Sequence, residues 1–122
     1  MKRSYRLYLN DILESIEKIK RYVDDLSFEE FTASDLIFDA VVRNLEIIGE
    51  ASSHIPDSIQ SAFPTVPWRL MKDMRNVLSH EYFGIDVDIV WKTARESLPQ
   101  LVEPIKTAMD QAQGGESESN DV

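Results

Sequence analysis

The chain contains no cysteine among its 122 residues. That excludes disulfides, thiolate metal sites and cysteine nucleophiles. It has two histidines and four glycines. A transition-metal centre would therefore have few nitrogen ligands to draw on. There is no glycine-rich phosphate loop, no His-Glu-x-x-His pair and no Gly-x-Ser-x-Gly elbow. No apolar run approaches the length of a membrane span. The opening MKRSYRLYLNDILESIEK lacks the apolar stretch of a secretion signal. The expectation is a cytoplasmic protein with no membrane association, no cofactor and no metal.

What is present is ordinary for one globular domain, with 43% apolar and 29% charged residues. Thirteen basic against 22 acidic side chains give a formal charge of −9. This balance argues against a loose, coat-like binder of nucleic acid, but it leaves room for a small local basic site. Three of the negative charges, Glu116, Glu118 and Asp121, fall in the last twelve residues, QAQGGESESNDV. That stretch has no apolar periodicity and reads as a solvated, disordered acidic tail over 111–122, leaving a single domain over 1–110. Basic residues cluster at Lys2, Arg3 and Arg6, at Lys18, Lys20 and Arg21, and at Arg69, Lys72 and Arg75. Locally only Asp73 opposes the third group.

Apolar residues recur at helical steps of three and four along most of the chain. Tyr5, Tyr8, Leu9, Ile12, Ile16, Ile19, Val23 and Leu26 define a first helix over about 4–25. Ser27-Phe28-Glu29-Glu30 has capping-box spacing and opens a short helical turn. Ser34 caps a second long helix, whose Leu36, Ile37, Ala40, Val41, Leu45, Ile47, Ile48 and Ala51 form a broad apolar surface. Asp39, Arg43, Glu46 and Glu50 make one charged stripe along its edge. The stripe reads first as a solvated face; a sharper reading places Arg43 or Glu46 in a cleft. This helix should end near Ser53-His54, because Ile55 precedes Pro56, with His54 as a cap interaction.

Asp57 is expected to cap a short helix over 58–62. Pro67 suits the first position of the next helix, with Trp68, Leu70, Met71, Met74, Val77 and Leu78 turned inward and Gly84 as its C′ residue. Asp86 caps a helix carrying Val87, Ile89, Val90, Trp91 and Ala94. Pro99 should break or kink that pattern near Leu98, and a last segment covers 100–111. No stretch alternates with period two. The expected fold is all-α, an antiparallel bundle of four to five helices with short connections.

The chemistry concentrates in Arg75-Asn76-Val77-Leu78-Ser79-His80-Glu81-Tyr82, near the end of a helix. Arg75 is a permanent cation whose fork fits a phosphate bidentately. His80 titrates near neutral pH and can give or take a proton. Arg beside His suits cleavage of a phosphodiester by its own neighbouring 2′-hydroxyl. That reaction needs a base, an acid and a cation for the phosphorane charge, and no metal. Asn76 can bind phosphate or ribose, or orient His80; Ser79 reads as structural. Trp68, Trp91 and the four methionines read as core or interface.

One geometric difficulty is plain. Positions five apart on an ideal helix lie roughly 140° apart, at ~100° per residue. Either the helix loosens before Gly84 and lets His80 swing round, or two copies of the motif face each other across a two-fold axis. The bland reading of Arg75 and His80 is a cation pair satisfying the last carbonyls of a helix.

At these residues the sequence resembles the HEPN superfamily, and closely its HepT branch. The ribonucleases of that superfamily share an Arg followed a few residues later by His, and the HepT form continues as His-x-Tyr. Here that is Arg75, His80 and Tyr82, in PWRLMKDMRNVLSHEYFGID. DAVVRNLEIIGEAS at 39–52 and DIVW at 88–91 also match, and the resemblance covers roughly residues 5–110. It implies a metal-independent endoribonuclease toxin that works as a homodimer with both motifs in one cleft. Arg75 and His80 would be catalytic and Asn76 supporting. It also implies an antitoxin partner, a minimal nucleotidyltransferase of the MntA kind, which silences the toxin by AMPylation of Tyr82. A rival expectation is a catalytically silent helical module that binds a nucleotidyltransferase or a nucleotide.

Overall fold

The computed structural model describes the backbone of residues 4–80 and 86–119, and the side chains of 4–75 and 86–111. Among the described residues every regular element is helical: α1 Tyr5–Val23, α2 Phe28–Ala33, α3 Asp35–Ser53, α4 Asp57–Ala62, α5 Trp68–His80, α6 Val87–Lys92 and α7 Val102–Ser119. A π-helical turn, Thr93–Ser97, and a 3₁₀ turn, Leu98–Leu101, join α6 to α7. The fold is the all-α helical bundle expected from the periodicity.

Local chemistry sets the boundaries. The α1 cap is Ser4, whose Oγ accepts from the Arg6 amide. Ser27 and Glu30 complete the capping box of α2: the Ser27 amide donates to Glu30 Oε1 at 2.9 Å, and the Glu30 amide to Ser27 Oγ at 3.1 Å. Ser34 Oγ accepts from the Ile37 amide to start α3. Asp86 starts α6 by accepting from the Asp88 amide at 2.9 Å. Two expected starts differ. Asp57 is the first residue of α4 and not its cap; the Pro56 carbonyl receives the Ile59 and Gln60 amides, and no side chain caps. Pro67 precedes α5, and its carbonyl takes the first helical bond, from Met71.

Helix α3 packs on both α1 and α5, and α1 also packs on α7. The core is continuous: Leu9, Ile12, Ile16, Ile19 and Val23 of α1, Val41, Leu45 and Ile48 of α3, Met71 of α5, and Leu98, Leu101 and Ile105 near the end are all buried. Burial of each large aliphatic side chain stabilises the fold by ~1.5–3 kcal/mol before chain entropy is counted. Small buried groups let the helices approach. Ser52, fully buried, satisfies its hydroxyl by donating to the Ile48 carbonyl at 2.7 Å. The expected inward set of α5 needs one correction: Leu70 is 57% exposed, because the buried face runs through Trp68, Met71 and Met74. Val77 and Leu78 have side chains outside the described set.

Pro99 acts as expected. It has no N–H to donate and its ring presses on the carbonyl four residues back, so the α pattern cannot run through it. The chain responds by widening to a π turn over Thr93–Ser97 and then tightening to 3₁₀ with Pro99 near its start. The wide turn has a structural use. From it Arg95 reaches the C-terminus of α1, donating from Nη1 to the carbonyls of Val23 (3.0 Å) and Asp24 (3.2 Å). The cation meets the negative end of that helix and lies 5.2 Å from the Trp91 ring centre. The helical backbone of α7 continues to Ser119, well past the segment expected at 100–111 and into the stretch expected as tail. No described helix is long and apolar enough to cross a membrane.

Candidate active site at the α3–α5 seam

Arg75 sits on α5 where that helix packs tightly on α3. The contact is set by Gly49. A Cβ placed on Gly49 would stand 2.7 Å from the Arg75 amide nitrogen and 2.8 Å from its Cβ. Only a residue without a side chain permits this approach, so Gly49 places the root of Arg75.

The next residue of α3 engages the other end of the side chain. Arg75 Nη1 donates to Glu50 Oε1 at 2.5 Å. The second carboxylate oxygen, Oε2, lies 3.0 Å from His54 Nε2. The His54 ring in turn stacks on Tyr8 of α1, with centroids 4.7 Å apart and planes 10° from parallel. Three helices thus contribute to one chain of contacts: Tyr8, His54, Glu50, Arg75. His54 caps α3 as expected, its backbone N–H bonding to the Ala51 and Ser52 carbonyls, while its ring turns to Glu50, one helical turn back.

Glu50 is the residue that sequence reading placed in a solvated stripe and did not connect to Arg75. The two are 25 positions apart, and nothing in the local pattern joins them. The i, i+4 spacing of Glu50 and His54 was the available signal. The rest of the stripe behaves as a surface: Arg43 pairs with Glu46 at 3.5 Å. Both border an open recess of about 260 Å³ that Tyr8, Glu50 and His54 also line. The basic cluster around Arg75 is therefore less basic than its neighbourhood in sequence. Glu50 offsets Arg75, and Lys72 donates to Gln60 of α4 at 3.3 Å.

A second recess, about 170 Å³, lies between α5 and the α6–π segment. Its described walls are largely apolar, with Leu45, Leu70, Met74, Ile89 and Val90, and among the described residues Asp73 is the only charged one that lines it.

The other motif residues stand differently. The backbone of α5 is continuous α-helix from Trp68 to His80. The loosening that would swing His80 round is thus absent through His80 itself. At ~100° per residue, position 80 remains roughly 140° round the helix from Arg75, and position 76 sits one turn before it. The side chains of Asn76, Ser79 and His80 lie outside the described residues, as do Tyr82 and Gly84 altogether.

The two bonds to Glu50 hold its carboxyl below the ordinary glutamate range, His54 contributing first and Arg75 second. A depressed folded pKa means that the stabilisation is present above the unfolded value of about 4.3 and is lost as pH falls through the folded one. Glu50 is 58% exposed, so solvent screens the pair and its worth is under ~1 kcal/mol. An NMR titration of the Glu50 side chain should give a midpoint below ~4.3. His54→Ala and Arg75→Ala should each raise it. A midpoint that neither substitution moves would mean that these pairs do not persist in solution.

The fold is that of the all-α, HEPN-like helical bundles. The chain matches the family "Ribonuclease HepT-like" over residues 12–108 and belongs to it. It is similar to a Thermococcus cleftensis protein named Probable ribonuclease HepT, at 48% identity over 101 residues, covering 83% of this chain and 92% of that one. It is also similar to a Methanocaldococcus jannaschii protein named provisionally as an RNase, at 41% identity over 105 residues, 86% of this chain and 96% of the relative. A Caldanaerobacter subterraneus protein with the same kind of name is 39% identical over 101 residues, 83% of this chain and 90% of the relative. No solved structure matches the chain significantly.

Proposed function

We propose that this chain is the toxin of a toxin–antitoxin pair, a metal-independent endoribonuclease acting through Arg75, His80 and Tyr82. The observation that carries the reading is Arg75, half-exposed and held at the α3–α5 seam, in a chain of the HepT-like ribonuclease family. In this scheme a base takes the proton from an RNA 2′-hydroxyl and the oxygen attacks the adjacent phosphorus. The bond to the 5′-oxygen breaks, and that oxygen receives a proton. The products are a 2′,3′-cyclic phosphate and a free 5′-hydroxyl. His80 serves as general acid and base, Arg75 balances the charge on the phosphorane, and Asn76 orients. Arg75 carries five N–H donors, and its bond to Glu50 engages one nitrogen, so the fork retains donors for phosphate.

The unbroken helix between Arg75 and His80 supports a homodimer. One chain sets them on different sides of α5, and a two-fold axis would bring two copies of each to one cleft. Regulation would fall on Tyr82. Its hydroxyl oxygen attacks the α-phosphorus of ATP on a cognate minimal nucleotidyltransferase of the MntA kind. The bond to pyrophosphate breaks, and AMP remains on the tyrosine. The added negative charge, two residues from His80, would compete with RNA phosphate for Arg75.

Two measurements test this. Purified protein should cleave RNA in EDTA as fast as in magnesium, leaving cyclic phosphate ends. Co-production with the nucleotidyltransferase should add the mass of AMP and stop cleavage, and Tyr82→Phe should show neither effect. Cleavage that EDTA abolishes would overturn the mechanism. Stable complex formation without any cleavage would favour the silent binding module.

A further inference from the structure

Arg75 is nearly half-exposed on α5. A long side chain at such a position ordinarily samples many rotamers, and a wandering guanidinium is a poor phosphate clamp. Here both of its ends are held, by consecutive residues of another helix. Gly49 lets the α5 backbone close on α3 and so places the Arg75 root. Glu50 receives Nη1 at the tip.

Glu50 is itself braced. Its other oxygen meets His54 Nε2, and the His54 ring is stacked flat on Tyr8. A carboxylate held on both oxygens cannot turn without breaking one of the two bonds. The same contacts keep it ionised into the acid range.

We propose that Glu50 is the positioning residue for Arg75, setting the guanidinium plane from α3 so that its remaining donors meet the scissile phosphate. This rests on the ribonuclease reading above and extends it to a residue outside the motif. Glu50 touches no substrate in this role.

An exposed ion pair does little for stability, so stability is a weak reason for the arrangement. Attraction of RNA is a worse one, because a carboxylate on Arg75 offsets the charge that draws the polyanion. Orientation is what remains, and it leaves an unusual kinetic mark. Removing Glu50 should strengthen RNA binding while slowing the reaction.

The test is steady-state cleavage of a short RNA by full-length protein. Glu50→Ala should lower kcat by about 10- to 100-fold, the scale of a misplaced reacting group, with a lower KM. Glu50→Gln keeps an acceptor oxygen for Nη1 and should recover most of kcat while keeping the lower KM. In an Arg75→Lys background, Glu50→Ala should have little further effect on kcat, because the residue acts through the fork. The melting temperature should fall by no more than a few degrees in either Glu50 variant. Wild-type kcat in Glu50→Ala would overturn the proposal, as would an equal loss in the Arg75→Lys background.

A second readout does not need activity. In ¹⁵N NMR the two Nη groups of Arg75 should be distinct in wild type, and should average in Glu50→Ala as rotation about Cζ–Nε is freed. Unchanged signals would overturn the positioning role even in a protein that cleaves nothing. A wild type that cleaves no RNA, with the Nη signals behaving as expected, would overturn only the ribonuclease reading.

Discussion

Gly49→Ala is expected to destabilise the protein and to slow RNA cleavage together. Alanine is normally the better helix residue, by ~1 kcal/mol over glycine. At this position the new Cβ would lie 2.7 Å from the amide nitrogen and 2.8 Å from the Cβ of Arg75. No rotamer change relieves a clash with backbone, so α3 and α5 must separate. Overpacking of this kind costs about 1–3 kcal/mol, and the separation also loosens Met71 and Ile48 in the core behind it. The net loss should be ~1–2 kcal/mol, a drop of roughly 3–10 °C in melting temperature for a chain of this size. The seam carries Arg75, so a shift of ~1 Å there should cost about 100-fold in kcat. Thermal melts and single-turnover cleavage on the same sample check both. A variant as stable and as active as wild type would show that the two helices do not meet this closely.

The second large effect is on chemistry alone. His80→Ala should reduce RNA cleavage by about 10²- to 10⁴-fold, the usual worth of a positioned acid or base. Arg75→Ala should cost on the order of 10²–10³-fold, as for loss of a donor to transition-state charge. Arg75→Lys should recover little, since a point charge replaces a planar fork. Arg75 is 45% exposed, so the melting curves of its two variants should stay near wild type. In a homodimer with a shared cleft, mixing His80→Ala and Arg75→Ala chains should restore part of the activity if each cleft draws on both protomers. Wild-type cleavage by His80→Ala would leave the scheme without its acid and base.

Much of this was legible along the chain. The caps at Ser27, Ser34 and Asp86 rest on hydrogen bonds between residues two or three apart, so their residue types announce them. Pro99 lacks an amide hydrogen wherever it is placed, and the distorted helix around it follows. The period of the apolar residues separated α1 and α3 from any strand. The misses were also local in origin. Leu70 was assigned inward by residue type, yet the buried stripe of α5 runs through its neighbours. His54 is the C-cap of α3 as read, but that Tyr8 would offer its ring a stacking partner could not be seen from the helix end alone.

The sequence by itself determined an all-α bundle and the helix starts capped by Ser27, Ser34 and Asp86, and it offered Arg75, His80 and Tyr82 as the motif on which the proposed chemistry rests. These depend on period, capping and residue identity over a few positions. Only the tertiary structure decided what Arg75 meets. Gly49 and Glu50 come to it from 26 and 25 positions away, across a helix crossing whose geometry no local pattern encodes. Close approach of two backbones, and the carboxylate that approach delivers, are properties of the packed pair. The nearby basic residues made Arg75 look like part of an uncompensated patch. The fold sets a carboxylate against it and gives that cation a direction.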